Sequence, residues 1–368
     1  MSTTETTKKG WRFWIVNTVT GERRREVFPK AGRWQTMLNG VGDGEHSFRL
    51  DDTDTQLPRD MWRSLSLPWA STLVVCWGDL PVYAGVILRR TWTSSSSTLV
   101  LSHKEFRVVA TKRMLYGVGP YDARATLTIA NKSNRGLARA FAFHALIDGG
   151  DRWRLPVALP PDETGEWTRE IERWQFRTLE SLLSEVQESD GGPDIHFRPR
   201  WTGAGTLEWE LRLGTPRLTG PTLNVNVSAT ESPATNFTEI GDATMQLTGL
   251  WGLGEGSGAG RLVSAQPMPE GSPVPFLDTS RTFSNIDQQD RLDSITTESL
   301  QTSREMTDQW GFGLKGGDWP EKAIPGATVH WFHQGDRFVQ PTPEGGATSY
   351  LIGVSGDMTD SPTGLDFQ

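Results

Sequence analysis

The chain has 368 residues and a formal net charge of −8 at pH 7. That length predicts two or three domains rather than one core, and the acidic balance speaks against a protein that grips nucleic acid on a basic face. One cysteine excludes a disulfide framework and a thiolate zinc site. The 39 glycines and 22 prolines fall at turn-like intervals, which favours many short strands. Sixteen tryptophans against four tyrosines have two readings: filling of cores and interfaces, or stacking on sugars. The start, MSTTETTKKG, lacks the apolar core of an export signal, and no run approaches a membrane span, so neither Sec export nor a span is expected.

Trp11, Phe13 and Ile15, then Val27 and Phe28, predict a hairpin turning near Thr20-Gly21-Glu22. Arg23-Arg24-Arg25 could hold phosphate, but beside a turn on an acidic chain they read as a charged strand edge that deters stray pairing. A strand from Arg33 to Leu38 and a turn at 41–46 lead to His46, Phe48 and Leu50 at period two. Asp51, Asp52 and Asp54 lack the glycine and terminal glutamate of a calcium loop and read as solvated. Pro58 to Leu65 predicts a short helix with Met61, Trp62 and Leu65 on one side. Leu73–Trp77 and Val82–Leu88 predict a hairpin across 78–81. Within it Cys76 reads as a small buried hydrophobe, because a nucleophile needs an activating base and partial exposure. A further hairpin around the serines at 94–97 completes an antiparallel barrel over residues 1–105.

Ser102 to Glu105 matches a capping box, with Phe106, Val109 and Met114 on a helix face, although β-branched Val108, Val109 and Thr111 leave this ambiguous. Gly117 to Asp122 is a loop lacking the glycines and lysine of a nucleotide site. A strand over 125–130 precedes a helix from Asn134 to Leu146, capped by Ser133, with Leu137, Ala140, Phe141 and Ala145 inward. His144 has no second ligand at helical spacing and reads as a packed side chain. After a proline-rich connection at 156–166, Phe176, Leu179, Leu182, Leu183 and Val186 form one helical stripe, stopped by Gly191-Gly192-Pro193-Asp194. Ile195–Trp201 and the alternating Leu207, Trp209, Leu211 and Leu213 predict a hairpin across Gly203–Gly205.

Leu223, Val225 and Val227 predict a strand, and 237–250 continues in strand-like fashion. Trp251 to Pro275, rich in Gly, Ser and Pro, reads as a long loop. A helix is expected over 287–305 with Leu292, Ile295, Leu300 and Met306 as a broken stripe. Trp310, Phe312 and Leu314 restart a sheet, and strands at 328–332, 338–340 and 349–354 build a second small barrel. Expected domains are therefore a first barrel (1–105), an α+β middle part (106–215), a second barrel (216–240 with 307–368) and an insertion (241–306) joined to the middle part.

The order of helix, GGPDI at 191–195, FRPRW at 197–201, glycine turn and LEWELRLG at 207–214 resembles the tail-hub (baseplate hub) minor tail proteins of long-tailed bacteriophages of actinobacteria. Trp69 to Ile87, Ala234 to Gly241, Ile324 to Val329 and Tyr350 to Met358 are similar to that family's other strands and fall in its order. Val86 stands where the family often has proline, and 252–275 matches none of its pattern. The resemblance implies a mainly β tail-hub fold with two small antiparallel barrels and an intervening α/β domain. It also implies a homotrimer in the virion tail tip, assembled in the host cytoplasm and lining the DNA channel. Implied partners are the distal tail protein and tail tube above, a central fibre or spike and other minor tail proteins below, and the tape measure protein.

Two other functions stay open: a carbohydrate-binding receptor protein of the tail, from the tryptophans, and a cell-wall hydrolase. A glycosidase needs two carboxylates across a cleft, and pairs such as Asp162 with Glu163 occur by chance among 45 acids. Six scattered histidines and one cysteine form no peptidase signature. No catalytic, cofactor-binding or metal-ligating residue is assigned, and no enzyme activity is expected.

Overall fold

The computed structural model describes residues 10–51, 57–115, 121–189, 191–266, 274–283, 286, 288–301, 303–315, 319–358 and 363–368. The chain opens with β1 (Trp11–Asn17), β2 (Arg23–Val27), β3 (Ala31–Met37), β4 (Asp43–Arg49), α1 (Arg59–Leu65), β5 (Ser71–Trp77), β6 (Leu80–Thr93) and β7 (Thr98–Glu105). These strands pair antiparallel in the order β2-β1-β5-β6-β7-β4-β3. β5 is apolar without a break from Leu73 to Trp77 because both its faces are covered. Val74 and Cys76, with Val16, Ala84 and Val86, join the apolar core of the middle part, while Leu73 and Val75 alternate to the other side and are fully buried there. β2 ends the row, and its three arginines are exposed, as expected of a charged edge. In α1 Trp62 and Leu65 are buried, but Met61 is exposed.

The two hairpins read between residues 73 and 101 share one long strand. β6 shifts register between Ile87 and Arg89, and this bulge carries it past β5 along the whole of β7. The capping-box expectation at Ser102–Glu105 is corrected: these residues finish β7, and a 3-10 helix, Phe106–Lys112, follows. Pairing with both β4 and β6 takes up the backbone that a helix would have used.

The middle part comprises β8 (Thr126–Lys132), α2 (Asn134–Leu146), β9 (Val157–Ala158), β10 (Trp167–Glu172), α3 (Leu179–Gln187), β11 (Ile195–Trp201) and β12 (Leu207–Leu213). Ser133 caps α2 by accepting from Gly136 N at 3.0 Å. α3 starts later than the apolar stripe implied: Thr178 is its cap, accepting from Ser181 N, and Phe176 sits outside at φ +49° and is exposed. α2 and α3 pack on the β11–β12 hairpin around Trp209, which stacks on Phe106 with ring centroids 4.2 Å apart. β10, absent from the sequence reading, pairs with β8.

The remaining elements are β13 (Thr222–Asn226), β14 (Ala234–Asp242), β15 (Gly249–Leu253), β16 (Val263–Gln266), β17 (Asp278–Thr282), α4 (Gln289–Gln301), β18 (Thr307–Leu314), α5 (Trp319–Lys322), β19 (Thr328–Phe332), β20 (Ala347–Asp357) and β21 (Thr363–Phe367). β20 pairs antiparallel with β3, from Gly353 opposite Met37 to Asp357 opposite Arg33, so the last strands extend the sheet begun by the first. β21 and β18 continue it beyond β20, while β19 bridges β20 to β13. Residues 338–340 are not a strand, and Phe338 is 83% exposed.

The chain divides into two compact units, Met1–Phe237 with Gly311–Gln368, and Thr238–Trp310. In the second, α4 lies against β15 and β16, with Leu292, Thr296 and Leu300 inward and Met306 exposed. The long loop expected at 251–275 is corrected where the structure describes it. β15 and β16 pair as a hairpin, and β17 adds to β15 in parallel. Gly252 leaves room for Thr296, whose hydroxyl a Cβ would strike. Residues 267–273 lie outside the described residues.

Candidate functional site

Two buried polar clusters and one junction stand out. Inside the first strand group, His46 on β4, His103 on β7 and Tyr83 on β6 form a relay. His46 Nδ1 and His103 Nε2 are 2.9 Å apart, and Tyr83 Oη lies 2.9 Å from His103 Nδ1. The rings fit because Gly44 and Gly85 face them; a Cβ at either position would collide with His103. Burial lowers the His46 pKa to about 3 and pushes that of His103 well below its ordinary value, so the relay is neutral.

The second cluster lies where β3, β7 and β11 meet. Glu105 accepts from Gly42 N at 2.7 Å, Met37 N at 3.2 Å and the Thr36 hydroxyl; His196 Nε2 is 3.1 Å from that hydroxyl. His196 and Glu105 approach to 3.9 Å, near enough for an ion pair. Burial nevertheless raises the Glu105 pKa to about 7 and lowers that of His196 to about 3, so both are neutral over most of the interval between. We read the contact as polar packing rather than a salt bridge.

The junction is built on Asp194 of the GGPDI motif. Its Oδ1 accepts from Asn39 Nδ2 at 2.7 Å, and its Oδ2 accepts from Leu218 N at 2.9 Å and faces the Tyr350 hydroxyl at 2.7 Å. Asn39, in the left-handed region at φ +58°, accepts from Ile195 N at 2.7 Å. One carboxylate thus ties the end of β3, the start of β11, the segment before β13 and β20. Arg212 adds bonds to Pro325 O at 2.9 Å and Thr219 O at 3.0 Å, and Arg23 stacks 3.9 Å over Trp201. FRPRW and LEWELRLG are therefore where the first sheet, the middle part and the last strands meet.

His46, His103 and His196 are almost wholly buried, and Cys76 is fully buried with its thiol pushed up to about 12. Desolvation outweighs the nearby arginines there, so the thiolate that nucleophilic chemistry requires does not form near neutral pH. His144 is half-buried and bonds Asp148 at 2.9 Å. Asp162 pairs with Lys132, and Glu163 pairs with Arg135 at 2.8 Å. Asp51 pairs with Arg49, whereas Asp52 and Asp54 lie outside the described residues. Among the described residues no group of three His, Cys, Asp or Glu could hold a metal, and no helix is long and apolar enough to cross a membrane. The sequence reading missed Asp194, which it took as a helix stop, and Glu105, which it took as part of a cap. The available signals were His46 in an otherwise apolar alternation and glycines inside strands.

No protein-family model matches the chain, and no curated protein matches it in sequence. Its architecture is nevertheless that of phage tail proteins. The tail protein from Neisseria meningitidis is similar with a TM-score of 0.58 at 15% identity, over 97% of this chain and 96% of that one. The 43 kDa tail protein of prophage MuSo2 from Shewanella oneidensis is similar with a TM-score of 0.59 at 9% identity, over 97% and 98%. A chain of the lidded Francisella PdpA–VgrG complex is similar with a TM-score of 0.51 at 8% identity, over 98% of this chain and 52% of that one. The fold is the mainly β tail-hub fold.

Proposed function

We propose that the protein is a structural tail-tip hub of a long-tailed actinobacterial phage, a trimeric adaptor between the tail tube with its distal tail protein and a central fibre or spike. The observation that carries this reading is the end-to-end likeness to phage tail proteins, over 97% of the chain. In this reading residues 1–105 and 216–240 with 307–368 are two tube-forming domains, joined by 106–215, with 241–306 as an insertion. The continuous β3–β20 pairing supports it, because it holds the two strand groups as one rigid wall. Three copies of two such groups present six surfaces to a sixfold tube and three to a threefold fibre, and closed symmetry leaves no subunit face unmatched. The protein resides in the virion, is made in the host cytoplasm, performs no catalysis, and surrounds DNA only in passage. With a net charge of −8, tight binding to duplex DNA at physiological salt is not expected.

The test is electron microscopy of the tail tip with this protein labelled. Three copies around the channel, each with both strand groups in the ring, support the adaptor; one, two or six copies overturn it. Release of sugar or peptide from actinobacterial cell wall, abolished by one acidic substitution, would overturn the purely structural reading.

A further inference from the structure

Outside the buried clusters, one cavity of about 660 Å³ opens between α1 and the outer ends of β6 and β7. Trp62, Leu99 and Ser66 form its buried lining, and Leu50 and Leu57 are half-buried. Trp62 packs on Phe48 with ring centroids 5.2 Å apart, and its Nε1 finds no hydrogen-bond partner among the described residues. The exposed lining is Arg59, Arg63, Arg90 and Trp92. Arg90 is fixed by bonds to Arg63 O at 3.0 Å and Ser66 Oγ at 3.2 Å, and Ser66 spends its own proton on Trp62 O at 2.7 Å. Three guanidiniums around one apolar cavity are notable on a chain with eight more acids than bases, 45 against 37.

The donor inventory selects the ligand. Among the described residues lining the cavity no side chain carries a carboxylate or amide, and the Ser66 hydroxyl already donates to Trp62 O and accepts from Arg90. The arginines are donors only and match carboxylates bidentately. The leucines and tryptophans match an aliphatic or aromatic side chain. We infer that this cavity is a docking site for an acidic peptide segment of a partner protein, with an apolar anchor between the tryptophans and a neighbouring carboxylate on Arg59 and Arg63. The inference does not depend on the hub reading, since it concerns binding by the free chain.

The probe is a random heptapeptide library displayed on yeast and panned against the full-length protein. The counter-selection uses an Arg59→Glu, Arg63→Glu double variant, whose exposed side chains leave the fold undisturbed, checked by an unchanged melting temperature. Enriched peptides should pair Asp or Glu with Leu, Phe or Trp within three positions. Their binding should weaken at least tenfold in the double variant, in Trp92→Ala, and when each acid is replaced by its amide. No enrichment, enrichment of neutral or basic peptides, or equal binding by the double variant overturns the proposal. So does saturable binding of sialyllactose with the same arginine dependence, which would make the site a glycan site. Self-association of the free protein that the double variant loses would assign the cavity to a second copy instead.

Discussion

The two interiors of the larger unit differ in how many polar groups they bury among their apolar side chains. Around Trp209 and Phe106 the middle part buries an apolar core drawn from α2, α3, β11 and β12. Across β5, the inside of the first strand group is threaded by His46, His103 and Tyr83 and ends in Glu105, Thr36 and His196. An apolar core gains stability in proportion to area and is indifferent to pH. A polar core pays for burial with specific bonds, so it sets strand register closely but is sensitive to protonation. The thin shared wall, β1-β5-β6, carries side chains into both, which is why it reads as almost continuously hydrophobic.

The largest effect that sharpens this contrast is Trp209→Ala. Removing a side chain that is 1% exposed and stacked on Phe106 should cost about 3–5 kcal/mol at any pH where the protein folds, read by denaturant melts. A change that left melting untouched while abolishing glycan binding would move Trp209 from core to sugar site and undo the comparison.

The polar interior should answer to pH, and its two components have opposite signs. Glu105 has a folded pKa of about 7, raised from 4.5, so its contribution is full below pH 4.5 and lost as pH rises through 7. That rise corresponds to roughly 3 kcal/mol. His46 and His196 have folded values of about 3, lowered from 6.5, so their contribution is present above pH 6.5 and lost as pH falls towards 3. Melts of Glu105→Gln and the parent between pH 4.5 and 8 should therefore diverge, the parent losing the more stability towards high pH. Parallel curves would show that Glu105 stays solvated.

Smaller is Asp194→Asn. The amide keeps one acceptor oxygen but sets an NH2 against donors from Asn39, Leu218 or Tyr350, at a cost of about 1–3 kcal/mol. If the junction matters for assembly, this variant should lose incorporation into tails out of proportion to its melting shift. Incorporation that merely tracks stability would reduce the junction to ordinary packing.

The smallest effect concerns Thr238–Trp310. Its large buried hydrophobics among the described residues are Leu250, Ile286, Leu292 and Leu300, and residues 255–260 between β15 and β16 are exposed. Limited proteolysis of the free protein should cut there first, at low protease, with little change in the melting of the rest. Resistance of this segment in the free protein would contradict a weakly held unit.

Local signals were enough wherever an element's own residues satisfy it. Ser133 and the Leu137–Phe141 stripe define α2, the β11–β12 hairpin follows from its alternation and turn, and the charged edge of β2 follows from its arginines. They failed where the decisive partner is distant in sequence. Glu105 caps Gly42 and Met37 rather than a helix following it, because β7 is held by β4 and β6. The glycine-rich stretch after Trp251 holds strands because Thr296 of α4 fills the space that Gly252 leaves. By itself the sequence determined the mainly β class, the net negative charge, the burial of Cys76 and the order of motifs that resembles tail hubs. Only the tertiary structure decided that β3 and β20 make one sheet of two strand groups, that Asp194 ties four segments, and that three arginines surround one apolar cavity. Each of those contacts closes a loop of many residues, and alternation within a single strand carries no record of which other strand will lie beside it.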